Sequence, residues 1–213
     1  TLMRSSAASD VYKRQHVHRM RNRYRAIMVG VGTVLADDPM LTCRLKETEN
    51  GANPVRIICD SKLRTPLESQ IVRSAKEIPT ILATCNRQEA MHMPYIEAGC
   101  KILVTPEKDG HVDLSDLMQQ LGQLGIDSVI LEGGGTLNWS ALQAGIVQKV
   151  QAYVASKLFG GTEAKTPVEG QGFHTPADAV ELTRTKITAL GSDWLIEGYP
   201  VENRRNMGCL QES

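Results

Sequence analysis

The residues best suited to chemistry lie past the middle of the chain, in the run Ser128-Val-Ile-Leu-Glu-Gly-Gly-Gly-Thr-Leu-Asn-Trp-Ser140. A short apolar stretch opens there into three glycines, and the residues after them start a helix. Glycines let a backbone pass close to a ligand, and the free N–H groups of a first helical turn meet it with the positive end of the helix dipole. That combination suits a pyrophosphate. The spacing is not the G-x-G-x-x-G of a Rossmann first turn, and the strand lies past mid-chain, which points to a dinucleotide site on another fold. Glu132 stands one residue before the glycines. A phosphate would repel its carboxylate, so Glu132 is expected to face a donor-rich substrate instead. The plain alternative is a glycine-rich strand-to-helix turn with no ligand.

Composition limits the other possibilities. With 213 residues the chain is long enough for one α/β domain around a single core, and two domains are not expected. Lys plus Arg and Asp plus Glu both number 24, so the net charge is zero and nothing marks a binder of nucleic acid. No apolar run approaches the roughly 20 residues that span a bilayer, and no secretion pattern is present, so a soluble, cytoplasmic protein without a membrane partner is expected. The five cysteines (Cys43, Cys59, Cys85, Cys100, Cys209) form no C-x-x-C, which predicts reduced thiols and no metal site. His16 and His18 form an H-x-H, but without further ligands nearby they read as residues of a polar face.

The elements that must position the glycine run alternate along the chain. Residues 1–15 are Ser/Ala-rich without a clean apolar period and read as a non-native or disordered segment, an expression or assembly scar set apart from the fold. Residues 16–25 are basic and helix-compatible, and 26–34 read as an apolar strand buried on both faces, ending in a loop over 36–40. Further strands are predicted at 55–59, closing on Asp60-Ser61, at 80–84 and at 101–105. Leu114, Leu117, Met118, Leu121 and Leu124 form the stripe of a helix that feeds the strand before Glu132. After the glycine-started helix come a strand at 150–158, a loop with Pro167, Gly170, Gly172 and Pro176, and an antiparallel hairpin of 180–190 and 193–198 turning at Gly191-Ser192. The sheet is therefore expected to be mixed. The tail after Pro200 is polar, and Arg204-Arg205 reads as a solvated end.

Four blocks in this order carry a family resemblance: Val29-Gly-Val-Gly-Thr-Val-Leu-Ala-Asp-Asp-Pro-Met-Leu-Thr-Cys-Arg44, Pro54-Val-Arg-Ile-Ile-Cys-Asp-Ser61, Leu131-Glu-Gly-Gly-Gly-Thr136 and Lys157-Leu-Phe-Gly-Gly161. Together they closely resemble the reductase domain of riboflavin-biosynthesis enzymes, over residues 16–198. The resemblance implies a dihydrofolate-reductase-like α/β fold, in which helices flank a mixed sheet that closes on an antiparallel hairpin. It also implies NADPH as hydride donor, 5-amino-6-(5-phosphoribosylamino)uracil as substrate, and a homodimer. In that family the domain usually follows a zinc deaminase, making a bifunctional pyrimidine deaminase/reductase. Here no H-x-E is followed by P-C-x-x-C, so no deaminase zinc site is expected. Family members also begin the domain with a strand and a tryptophan-containing loop, where this chain has residues 1–15. Residues 16–200 thus read as a reductase domain without its first strand, 201–213 as a polar tail, and the whole as a piece of a longer protein.

The resemblance places residues one by one. It puts Thr33 and Asp37 at the nicotinamide cofactor, although Asp37-Asp38-Pro39 is also an ordinary turn sequence. Arg21 and Arg44 fall at positions for the substrate 5′-phosphate, where a guanidinium can donate two parallel hydrogen bonds. Leu41 packs nearby, and Glu132 contacts the substrate. Ser61 contacts the dinucleotide, and Lys62 and Arg64 after it suit a 2′-phosphate. Gly134, Gly135, Thr136, Leu137, Asn138, Trp139 and Ser140 form the dinucleotide-binding segment, with Trp139 expected to act through its backbone while its ring joins the core. Hydride would pass from the nicotinamide C4 to the ribosyl C1′, and the available acids are Asp37 and Glu132. Two other readings stay open. One is an inactive truncated module that binds nucleotide or dimerises. The other is a pterin or folate reductase, which would share fold and cofactor but has no reason to keep Arg21, Arg44 and Glu132 together.

Overall fold

A computed structural model describes residues 7–45, 51–158 and 166–201. The chain runs through α1 (Ala7–Arg23), β1 (Ala26–Gly30), α2 (Val31–Asp37), β2 (Val55–Cys59), α3 (Gln70–Arg73), β3 (Thr80–Thr84), α4 (Glu89–Glu97) and β4 (Lys101–Val104). A two-stranded hairpin of β5 (Glu107–Lys108) and β6 (His111–Val112) follows, then α5 (Leu114–Gln123), β7 (Val129–Leu131) and α6 (Gly135–Gln143). The last part holds β8 (Val150–Val154), a single 3-10 turn (Pro176–Asp178), β9 (Leu182–Leu190) and β10 (Asp193–Pro200).

Five strands form one parallel sheet in the order β4-β3-β2-β1-β7. A parallel sheet needs both faces covered, and alternating side chains meet that need. On one face Ile27, Val29, Ile58 and Leu82 pack with Val31, Val34, Ile71, Val72 and Tyr95. On the other, Ala26, Met28, Ile57, Ile81 and Ala83 pack with Leu114, Leu117 and Leu121 of α5. Asp113 caps α5 by accepting from the Ser115 and Asp116 amides, and the chain turns out of the helix at Gly125, in the left-handed region at φ +73°.

The expected strands at 55–59 and 80–84 match β2 and β3, and the hairpin turning at Gly191 is present between β9 and β10. Parallel and antiparallel strands are both present but divided: β8, β10 and β9 make a separate three-stranded antiparallel sheet. The apolar run over 26–34 is not one strand. It stops at Gly30, and Val31–Asp37 is helical with Val31 and Val34 buried on one side. Periodicity alone cannot separate a buried strand from a short buried helix, and the three-residue spacing of the two valines decides it here. Asp38, with φ 38°, closes α2 by donating its amide to the Val34 carbonyl. Helix α1 starts at Ala7, inside the segment set apart in the sequence, because no Gly or Pro interrupts residues 7–23. Strand β8 ends at Val154, short of residue 158, and β5–β6 was not foreseen. Residues 1–6, Phe159, Gly160, Gly161, Arg204, Arg205 and Cys209 lie outside the described residues.

Leu117 is fully buried between α5 and the sheet. Leu117→Ala is therefore expected to lower unfolding free energy by about 2–5 kcal/mol, read from urea denaturation with an unchanged m-value. A loss under about 1 kcal/mol would show that this face of the core is loosely packed.

Candidate active site

Parallel strands bring their carboxyl ends to one edge, and there the site residues collect. Gly30 lies opposite Cys59, and Met28 lies between Ile57 and Leu131. One step further the Glu132 amide donates to the Met28 carbonyl at 3.0 Å. The end of β1 thus lies between the Asp60-Ser61 turn and the glycine turn.

The three glycines have different tasks. A Cβ on Gly133 would come within 2.8 Å of Leu137 Cδ2 and 3.1 Å of its Cβ, so a larger residue there would have to push the Leu137 side chain aside. Gly134 caps α6 with no side-chain hydrogen bond, and a Cβ there would meet nothing within 4 Å. Gly135 is buried beneath Glu169, whose Cγ would lie 2.3 Å from a Cβ. Glu169 belongs to a stretch that crosses the first turn of α6. Within it the Pro167 carbonyl accepts from Asn138 Nδ2 at 2.7 Å, Gly170 (φ +107°) rests on the Trp139 ring, and Phe173 meets that ring edge-on at 4.9 Å. Trp139 is buried, as expected of a core aromatic. Ser140 Oγ donates to the Thr136 carbonyl within the helix. The side chains of Leu137, Asn138, Trp139 and Ser140 are thus engaged with the protein, and the amides of the first turn are what the segment offers a ligand.

Glu132 faces the other way. Its Oε1 accepts from Arg21 Nε at 2.9 Å and its Oε2 from Arg21 Nη2 at 2.6 Å, a fork joining the end of α1 to the end of β7. Arg21 Nη1 donates to the Thr42 carbonyl at 3.0 Å, and Arg44 Nε donates to Thr42 Oγ1 at 3.3 Å. Arg21, Leu41, Arg44 and Glu132 are therefore brought together around Thr42. Arg21 spends three of its N–H groups on Glu132 and Thr42, which leaves exposed Arg44 as the more available guanidinium. Sequence reasoning missed Thr42, and it missed His18, whose Nδ1 accepts from the Arg44 amide at 3.1 Å. Burial, then Arg21 and Arg44, lower the His18 pKa, in keeping with a neutral accepting ring. The signal was the three-residue step from His18 to Arg21, which stacks both on one face of α1. His16 is also engaged, its Nδ1 lying 2.7 Å from Tyr153 Oη.

The remaining site residues line the other side of β1. Thr33 is half-buried on α2 and Asp37 is exposed on its last turn, so both sit on a helix instead of at a strand end. Asp60 is buried and accepts from the Thr65 amide (2.7 Å) and hydroxyl (2.8 Å). That clamp turns buried Leu63 inward, at φ +51°, and leaves Lys62 and Arg64 exposed on either side of it, next to half-buried Ser61. Among the described residues no group of three or more His, Cys, Asp or Glu is placed to hold a metal ion, and Cys59, Cys85 and Cys100 are free thiols.

Comparison with known proteins now adds to this geometry. The riboflavin biosynthesis protein RibD of Actinobacillus pleuropneumoniae is 46% identical over 184 residues, covering 86% of this chain and 48% of that protein. A 2,5-diamino-6-ribosylamino-4(3H)-pyrimidinone 5′-phosphate reductase of Methanothermobacter thermautotrophicus is 36% identical over 193 residues, covering 91% of this chain and 88% of that protein. Among solved structures, Acinetobacter baumannii RibD superposes with a TM-score of 0.76 at 26% identity, covering 90% of this chain and 51% of that one. The chain thus spans about half the length of the RibD relatives and most of the Methanothermobacter reductase. The architecture is the dihydrofolate-reductase-like α/β fold, with a five-stranded parallel sheet and an antiparallel sheet beside it. The family model for the RibD C-terminal domain matches residues 3–196, from within the segment set apart in the sequence to the last strand, and the chain belongs to that family.

Proposed function

We propose that this chain is the reductase of a riboflavin pathway. It reduces the ribosyl group of 5-amino-6-(5-phosphoribosylamino)uracil to ribityl with NADPH. The observation that carries the reading is the opposition across Glu132: an uncapped glycine turn suited to a dinucleotide on one side, and two arginines converging on Thr42 on the other. A relative named for reduction of a ribosylamino-pyrimidinone 5′-phosphate supports the substrate class. A pterin or folate substrate carries no ribose phosphate for Arg44.

The residues fit the cofactor, since the turn at Gly133 is closely packed on Leu137 and α6 begins without a side-chain cap. NADPH supplies the hydride when bound. Amides of residues 134–136 would hold its pyrophosphate, with the Glu169 arm that lies on Gly135 having to move aside. Ser61 contacts the adenosine half, while Lys62 and Arg64 neutralise a 2′-phosphate and so favour NADPH over NADH. Thr33 and Asp37 flank the nicotinamide half. Arg44 binds the substrate phosphate, assisted by the N–H groups that Arg21 has left. Glu132, with both oxygens accepting from Arg21, orients the substrate by accepting from its amino or hydroxyl groups. Asp37, exposed on the last turn of α2, is placed to pass the proton for ring opening, directly or through water.

The same reading extends to assembly. On the antiparallel sheet Trp194 lies opposite Val154 and Ala189, and Ile196 opposite Ile187. Trp194, Val154 and Ile187 are exposed, an apolar face that suits a homodimer. A cytoplasmic location fits the described helices, none of which is long and apolar enough to cross a membrane.

Gly134→Val tests the cofactor site. Its φ of −72° suits any residue and its Cβ meets no protein atom, so the variant should fold. It should also lose roughly tenfold or more in NADPH affinity by calorimetry, about the energy of one lost hydrogen bond; an unchanged Kd would remove the dinucleotide from this turn. Arg44→Ala tests the substrate phosphate. A charge-assisted pair contributes about 1.5–3 kcal/mol, so KM for the phosphorylated substrate should rise about tenfold or more, with a dephosphorylated analogue unaffected. Equal losses on both substrates would make Arg44 structural.

A further inference from the structure

Arg56 is the largest fully buried side chain among the described residues, on the central strand β2. A buried guanidinium normally sits against a carboxylate. Here every acceptor is neutral. Nε and Nη2 donate to Thr80 Oγ1 at 3.0 and 2.6 Å, and Nη2 also donates to the carbonyls of Ile71 (2.9 Å) and Ile78 (3.1 Å). Nη1 donates to Ser74 Oγ at 2.9 Å and to the Met40 carbonyl at 3.3 Å. Burial lowers its pKa to about 10, so it stays charged at neutral pH. Packing alone would be served as well by a hydrophobic side chain, so the charge and its planar fork call for another reason.

The reason lies in what the fork holds. Ser74 Oγ donates to the Gln70 carbonyl, and Gln70 in turn donates its amide to Asp38 Oδ1 (2.8 Å) and its Nε2 to the Asp38 carbonyl (2.6 Å). The loop is thus fixed at Asp38 through Gln70 and at Met40 directly. The next residue is Leu41, buried, with φ +51°. A leucine in the left-handed region is strained and persists only where its neighbours over-determine it. On its far side the Thr42 carbonyl is held by Arg21. Leu41 therefore turns between two arginine-held carbonyls, and the chain that leaves the turn carries Arg44.

We infer that Arg56 is a positioning residue for the substrate side of the site: from within the core it fixes the Met40 carbonyl, holds Leu41 in its left-handed turn and so sets where Arg44 meets a phosphate. The inference rests on the proposed function for its kinetic consequence, but the brace itself is testable without turnover. In Arg56→Lys the amides of Cys43 and Arg44, which donate to Asn53 Oδ1 and His18 Nδ1, should exchange with deuterium at least tenfold faster than in the unmodified chain. Leu117→Ala, on the opposite face of the sheet, serves as a control for general destabilisation and should leave those two rates unchanged. Unchanged exchange in Arg56→Lys, or an equal increase in Leu117→Ala, overturns the brace whether or not the chain reduces anything. Where turnover is present, Arg56→Lys should raise KM for the phosphorylated substrate about tenfold with kcat within threefold. A fall in kcat at constant KM overturns the positioning role. Should Arg56→Lys fail to fold, Gln70→Ala decides through its exposed side chain: faster exchange at residues 43 and 44 supports the brace, and unchanged exchange overturns it.

Discussion

Ala26, Ile27, Met28 and Val29 are all buried, and a strand covered on both faces inside a parallel sheet has to be entered and left at opposite ends. That constraint organises the molecule. Strands β2 and β7 flank β1 in the same direction, so three chain exits lie side by side, and each exit leads into an element that carries site residues. Helix α2 follows β1 and ends at Asp37. The clamp of Asp60 on Thr65 follows β2 and leaves Lys62 and Arg64 outside. The glycine turn and α6 follow β7. Antiparallel strands would have sent alternate exits to the far edge and scattered the same residues.

Charge is distributed unevenly on this frame. The chain as a whole is neutral, yet the substrate side gathers Arg21, Arg44 and, through the Met40 carbonyl, Arg56, and among these three only Arg21 is bonded to a carboxylate among the described residues, that of Glu132. The His18 pKa is lowered first by burial and then by Arg21 and Arg44, with Glu132 opposing them. Among the described residues Arg56 adds positive charge bonded only to carbonyls and hydroxyls. Local excess of this kind favours an anion where overall composition would predict none.

The sequence made some of this legible and hid the rest for physical reasons. Glycines before a helix and the strands at 55–59 and 80–84 could be read because backbone needs and burial leave marks in residue type. The helix at Val31–Asp37 could not, because valines serve a buried strand and a buried helix turn alike. Thr42 and His18 went unseen because the first contributes a carbonyl and the second accepts from a backbone amide, and neither task leaves a motif. Arg56 stands in an apolar strand sequence, where a single charged residue does not reveal whether it faces solvent or is buried among neutral acceptors. The contact of Glu169 with Gly135 joins residues far apart in the chain, and no spacing rule could pair them.

The fork between Arg21 and Glu132 ties these parts together. Glu132 is fixed at its amide by β1 and at its carboxylate by α1, so its position cannot vary independently of either. Arg21 extends the same restraint to Thr42, and Thr42 passes it to Arg44. The cofactor side begins one residue after Glu132, where Gly133 folds against Leu137. A displacement of α1 would therefore be felt at the substrate phosphate and at the glycine turn together, through a single ion pair. Hydride transfer requires the two reacting carbons at close range and in a fixed orientation. A carboxylate held at both ends, standing between the two ligand sites, is how this fold sets that distance.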